Sequence, residues 1–170
     1  MTDQPVAIIS AGASGIGLSC ARALAAAGYR VLTLDIDVEA VAAFEAEFGE
    51  GTAVVCDVLH PAQVETAFAS LTEACDRVDV LLNNAGIAGP QQPVEEIEVE
   101  AWQSTINTDL NSLFYLTRLV IPFMKTQRSG VILNMSSSAG RYGCPLRSPY
   151  VASKWAAIGL AQTWAMELGP

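Results

Sequence analysis

A chain of 170 residues is one domain's worth and buries roughly two thirds of its unfolded surface on folding. Its 51% hydrophobic and 16% charged residues exclude a disordered chain, and no apolar run reaches the ~18 residues of a membrane span. Nine basic against 18 acidic residues leave a net charge of −9, the wrong sign for gripping nucleic acid or an anionic membrane.

The opening residues Met1-Thr2-Asp3-Gln4 place an acid where a secretory signal needs a basic cluster. Cys20, Cys56, Cys75 and Cys144 are scattered without a C-x-x-C pair, and His60 stands alone. Neither a disulfide framework nor a zinc site is indicated, so the expectation is four buried, reduced thiols in a cytoplasmic protein.

Taken in chain order, residues 6–9 form a short apolar run before a glycine-rich turn and read as a buried strand. Residues 15–27 are alanine-rich and lead to Gly28, a natural helix stop. Residues 31–34 give a second strand, and Asp37 can cap a helix that carries Val38, Val41, Ala42 and Phe44 and ends at Gly49. Residues 52–56 form a third strand. Pro61 suits the first position of a helix to about Cys75, with Val64, Ala67, Phe68 and Leu71 on one face.

A fourth strand spans 78–82, a polar loop 89–100, and a long helix about 102–125. A fifth strand covers 131–135, a loop follows from 136, and a last helix runs over about 148–168. Strands alternating with helices, without hairpin signals, predict a parallel sheet covered on both faces. The fold class is therefore α/β, a Rossmann-like doubly wound parallel sheet in a single domain over residues 1–170. Five strands fall short of the six in a complete fold of this type, and the chain reads as incomplete at its C-terminal end. The expectation is a functional protein that extends beyond Pro170.

Ser10-Ala11-Gly12-Ala13-Ser14-Gly15-Ile16-Gly17 follows the first strand and opens the first helix. Glycine lets backbone approach a pyrophosphate, and a helix N-terminus offers unpaired N–H groups. A tight turn that simply needs glycine explains the cluster equally well. Asp35 stands eighteen residues past Gly17 at a strand end, where a carboxylate accepts bonds from both ribose hydroxyls and repels a 2′-phosphate. Asp57 and the run Asn83-Asn84-Ala85-Gly86 add polar groups at the same sheet edge. Asp57 can contact an adenine amino group, whereas Asn84 more readily braces neighbouring strands.

Tyr150 and Lys154 lie four residues apart, one helical turn. A nearby cation favours phenolate, which suits a general acid/base near neutral pH; a plain surface pair is the commoner meaning of Y-x-x-x-K alone. Ser137, within the run Ser136-Ser137-Ser138 and 13 residues before Tyr150, can hold a substrate oxygen beside the phenol. Arg141 and Arg147, in the loop that borders this region, are candidates to meet an acidic substrate, against the usual reading of solvated loop arginines.

Together these residues resemble the classical short-chain dehydrogenase/reductase family. The likeness covers the whole chain: the glycine turn, Asp35, Asp57-Val58, Asn83 to Gly86, Ser137, and Tyr150 with Lys154, in the family's order. It implies an oxidoreductase that moves hydride between NAD(H) and a small alcohol or carbonyl substrate. Ser137 would orient the substrate oxygen, Tyr150 exchange the proton, and Lys154 lower the tyrosine pKa and hold the nicotinamide ribose. Ser10, Gly12, Ser14, Gly15, Ile16 and Gly17 would line the pyrophosphate, with Asp35, Asp57, Val58, Asn84, Ala85 and Gly86 along the rest of the NAD.

Three departures accompany the likeness. Ser10-Ala11-Gly12 replaces the opening of the family's T-G-x-x-x-G-x-G. Aligning residues 102–114 with the W…N-L-x-G-x-F pattern puts Asp109 where the catalytic asparagine is expected. The family's last two strands lie beyond the sequence. The alternatives are a nucleotide-binding relative without turnover and, fitting less well, a sugar-nucleotide epimerase. The apolar surplus on the last two long helices leaves a second apolar surface, and the resemblance implies that these helices pair into a homodimer or homotetramer.

Overall fold

The computed structural model describes residues 4–169; Met1, Thr2, Asp3 and Pro170, and the readings placed on them, lie outside it. Five parallel strands make one sheet in the order β3-β2-β1-β4-β5, with β1 Val6–Ser10, β2 Arg30–Asp35, β3 Ala53–Val55, β4 Val80–Asn83 and β5 Val131–Asn134. Six α-helices connect or follow them: α1 Gly15–Ala26, α2 Val38–Phe48, α3 Pro61–Thr72, α4 Val99–Ile106, α5 Ser112–Gln127 and α6 Ser148–Leu168.

Side chains alternate across a strand, and the core divides accordingly. Ile8, Leu32, Leu34 and Leu81 face α3 and α5 through Val64, Phe68, Leu71, Leu116 and Val120. Ile9, Val31 and Leu82 pack against Ala21 of α1 and Val41 and Phe44 of α2. β1 is paired on both edges and buried throughout, so its sequence is a continuous apolar run. The chain adds strands outward from β1 to β3, then crosses to place β4 on the other side of β1. That reversal opens a crevice between the carboxyl ends of β1 and β4, where sheets of this kind bind ligands.

Local signals in the sequence explain most boundaries. Asp37 caps α2, its carboxylate accepting from the N–H groups of Glu39 and Ala40. Gly28, with φ of +91°, follows α1 in the left-handed region that ends helices. The main difference lies in the expected helix over 102–125. It begins earlier, at Val99, and is interrupted by a π-helical turn, Asn107–Asn111, before continuing as α5. Widened turns of this kind insert one residue into a helix and are frequent at functional sites.

The cysteine expectation needs correction. All four thiols are free, but only Cys56 is buried, and burial pushes its pKa up to about 11. Cys20 and Cys75 are half-buried and Cys144 is exposed on the loop before α6. The sheet ends at β5, where Val131 and Leu133 are 51% and 49% exposed. Beside it, β5 and the C-terminal parts of α5 and α6 enclose a groove of about 800 Å³.

Candidate active site

The turn after β1 is held from three sides. Ser10 Oγ accepts from the N–H groups of Asn84 (2.9 Å) and Ala85 (3.0 Å), tying the end of β1 to the end of β4. Asn84 Nδ2 donates to the carbonyls of Ser10 and Ala11. Gly12 N donates to Thr33 Oγ1 (3.0 Å), and Ala13 N to Asp35 Oδ2 (3.0 Å). Thr33, which sequence reasoning missed, also donates to Ile9 O and so locks β2 to the turn.

Two of the glycines are steric requirements. A Cβ on Gly12 would strike Thr33 Oγ1, and one on Gly17 would strike Ala11 O and stand 2.8 Å from Asn84 Nδ2. The first family departure now has a geometric meaning: Ala11 takes φ of +51°, the left-handed region normally left to glycine. The shifted glycine at Gly12 serves packing, while Ala11 occupies the strained place. Ser14 gives α1 no side-chain cap, and Ser14, Gly15 and Ile16 are exposed. The first-turn N–H groups therefore face the crevice mouth without a side-chain partner, ready for an anion.

Asp35 is 6% exposed at the end of β2, and its carboxylate accepts from Ala13 N and Asp37 N. A carboxylate has about four acceptor positions, so about two remain for a ligand. Asp57 Oδ1 accepts from Leu59 N, His60 Nε2 lies 3.6 Å from its Oδ2, and Val58 is buried beside it. Asn83 Nδ2 donates to Thr117 Oγ1 and Asn134 Oδ1, joining β4 to α5 and β5.

A pocket of about 390 Å³ opens at the carboxyl edge of the sheet. It gathers Ile16, Asn84, Gly86, Ser137, Arg147, Tyr150 and Lys154 from the sequence candidates, and adds Ile87, Ala88, Met135 and Ser136. Ser10, Gly12, Gly15, Gly17 and Ala85 do not line it and lie at the ends of β1 and β4 and the start of α1, while Ser14 precedes α1, Asp35 ends β2, and Asp57 and Val58 follow β3. Ser137 caps the 3₁₀ turn Ser138–Gly140, its Oγ accepting from Ala139 N at 3.2 Å. Ser136 Oγ donates to Lys154 O (2.8 Å), which fixes α6 against the end of β5.

Lys154 is 4% exposed. Its Nζ donates to Met135 O (3.1 Å), lies 3.6 Å from Asp109 Oδ2, and stands 5.5 Å from the Tyr150 ring centroid. An ammonium has three protons, and this arrangement leaves at least one for a ligand. Asp109 belongs to the π-turn and is fully buried. Its Oδ1 accepts from Ile87 N (2.7 Å), while its Oδ2 has no hydrogen-bond partner and only the ion pair with Lys154. Burial pushes the Asp109 carboxyl above the ordinary carboxylate range, against the Ile87 N–H, Lys154 and Arg147, which pull it down. Gly86 permits this contact, since a Cβ there would stand 3.2 Å from Lys154 Nζ and 3.4 Å from Asp109 Oδ1.

Fold and crevice together define a Rossmann-like, doubly wound α/β domain. The short chain dehydrogenase family profile matches residues 5–170, and the chain belongs to that family. It is 40% identical over 162 residues, 95% of its length, to a 2-dehydro-3-deoxy-L-rhamnonate dehydrogenase (NAD(+)) of Sphingomonas sp. strain SKA58, and spans 65% of that relative. Among solved structures, it superimposes on an actinorhodin polyketide ketoreductase with NADPH at a TM-score of 0.92 and 32% identity, covering 98% of this chain and 66% of that one. An NAD+-bound xylitol dehydrogenase gives a TM-score of 0.91 at 31% identity, with 98% and 65% covered. The chain thus spans about two thirds of the length of these relatives.

Proposed function

We propose that the protein is an NAD(H)-dependent oxidoreductase acting on a small alcohol or ketone. The observation that carries this reading is the convergence of Ser137, Tyr150 and Lys154 on one pocket beside the glycine turn. NAD fits the residues present: the open N-terminus of α1 suits the pyrophosphate, Asp35 has acceptor positions left for the ribose, and Lys154 has a proton left for the second ribose. Asp57 and Val58 would border the adenine, and Ala85 and Gly86 the nicotinamide side. The cofactor supplies or accepts the hydride at the substrate carbon.

The chain's own residues position the substrate and manage the proton. In alcohol oxidation the substrate O–H proton passes to Tyr150 as the C–H hydride departs, leaving a carbonyl held by the Ser137 hydroxyl. Reduction runs the same transfers backwards. Lys154 sets its ammonium beside the Tyr150 ring, and Asp109 holds Lys154 in place as a positioning residue. Family membership and the retained Ser137, Tyr150 and Lys154 favour turnover over a binding-only relative. A cytoplasmic homodimer or homotetramer remains part of the proposal; among the described residues, no helix is long and apolar enough to cross a membrane.

NAD rather than NADP rests on Asp35, whose charge repels a 2′-phosphate, and on Ile36, 64% exposed at the rim and offering no cation. A turnover assay with both cofactors tests it. NAD(H) is expected to be preferred, and Asp35→Ala with Ile36→Arg to shift the preference toward NADP(H). A wild-type preference for NADP(H) would overturn the ribose assignment.

A further inference from the structure

The pocket holds one cation that hydride transfer leaves without a task. Arg147 precedes the first turn of α6, lines the pocket with Ser137 and Tyr150, and lies with its guanidinium carbon 5.0 Å from the Tyr150 ring centroid. Its Nε is buried without a hydrogen-bond partner, and among the described residues it forms no ion pair. Elsewhere Arg22 is matched by Glu47, Arg118 by Glu65 and Lys154 by Asp109.

Contact with the ring face uses the guanidinium plane and leaves its N–H edge free. A half-buried guanidinium with unused donors is costly unless a ligand supplies the anion, and its planar fork fits a carboxylate in two parallel bonds. The charges of the pocket agree. Lys154 and Asp109 offset each other, so Arg147 leaves a surplus of about one positive charge beside the reacting tyrosine. One carboxylate neutralises it, whereas a phosphate monoester, at about −1.5 to −2, overshoots.

The backbone holds Arg147 in this place. Leu146, just before it, takes φ of +66°, and its carbonyl accepts from Gln92 N at 3.0 Å, which pins the loop to the chain ahead of α4. Strained backbone that surrounding bonds maintain gathers at ligand sites. Arg141, the other loop arginine, is exposed and does not line the pocket.

We infer that Arg147 receives a substrate carboxylate, so that the preferred substrates are small hydroxy acids and their oxo-acid products. The inference rests on the oxidoreductase reading above and deepens it. The test compares hydroxy carboxylates with their primary amides under saturating NAD+, in the full chain and in Arg147→Gln. A charge-assisted bidentate pair predicts an acid-to-amide ratio of kcat/KM of at least about 10-fold, carried mainly by KM. In Arg147→Gln the ratio should fall to within about threefold of one, and Arg147→Lys should restore part of it. Equal acid and amide turnover in the wild type, a preference for phosphate esters, or an unchanged ratio in Arg147→Gln would overturn the assignment.

A second readout separates this inference from the oxidoreductase reading. Calorimetric binding of pivalate against pivalamide to the NADH-loaded protein requires no turnover. Selective pivalate binding that Arg147→Gln abolishes supports the carboxylate site even if no alcohol is oxidised, in which case the oxidoreductase reading alone fails. Absence of selective binding in the wild type overturns the carboxylate site.

Discussion

Asp109 is where a single residue separates this site from the family pattern. A neutral asparagine there would leave the Lys154 ammonium as the dominant field on Tyr150. An ionised Asp109, 3.6 Å from Lys154 Nζ, stabilises that ammonium and offsets part of its pull on the phenol. Asp109→Asn is therefore expected to shift the alkaline optimum of alcohol oxidation to lower pH, as read from a pH–rate profile. An unchanged profile would make Asp109 a structural substitution. The same carboxyl bears on stability. Its folded pKa is raised by burial, so its contribution is fully present below the ordinary carboxylate value and is lost as pH rises through the folded pKa.

At this scale the sequence spoke clearly where spacing carries the geometry. Tyr150 and Lys154 share a helix, so their proximity follows from a separation of four residues. Arg147 was visible only as one of two loop arginines, because burial of its Nε depends on how the loop folds against α6. The pairing of Asp109 with Lys154 across 45 residues was legible only through the family pattern, which placed both near one centre.

Among the elements, strands and helices with a strong apolar period were readable, and the widened turn Asn107–Asn111 was not. Four of its five residues (Asn107, Thr108, Asp109 and Asn111) are weak helix formers, which marks no particular kind of turn, and the packing that buries Thr108 and Asp109 is not written in local propensity. The turn between β1 and α1 gives a sharper case. Its glycines mark a turn in any reading, yet only the backbone reveals that Ala11 takes the left-handed conformation. That conformation costs a residue with a Cβ about 1–2 kcal/mol, and glycine returns roughly 0.5–1 kcal/mol through its larger unfolded-state entropy. Ala11→Gly is accordingly expected to stabilise the protein by up to ~1 kcal/mol, seen as a higher denaturant midpoint at unchanged slope. A lower midpoint would show that Ala11 is not strained.

Across the whole molecule, the apolar residues of the long helices divide into two sets. Leu113, Leu116 and Val120 of α5 are buried core, whereas Phe114 is 52% exposed. On α6, Trp155 and Met166 are 52% and 87% exposed, and Trp102 of α4 is 38% exposed. Large side chains left in water on these helices are the basis for expecting self-association. Light scattering at micromolar concentration should give the mass of a dimer or tetramer, and a monomeric mass would contradict this. The edge at β5 belongs to the same scale, since Val131 and Leu133 are the least covered apolar residues in the sheet, followed by Val55 at its other edge.

The central claim is that Tyr150 exchanges the substrate proton in a pocket that binds NAD(H). Turnover of Tyr150→Phe, followed at the reduced-cofactor absorbance band beside NADH binding by fluorescence, tests it most directly. The variant keeps the ring beneath Arg147 and loses only the hydroxyl, so cofactor binding should stay close to wild type. Turnover should fall by at least about 10²–10⁴-fold, the contribution of a general acid/base. Turnover comparable to the wild type would contradict the account.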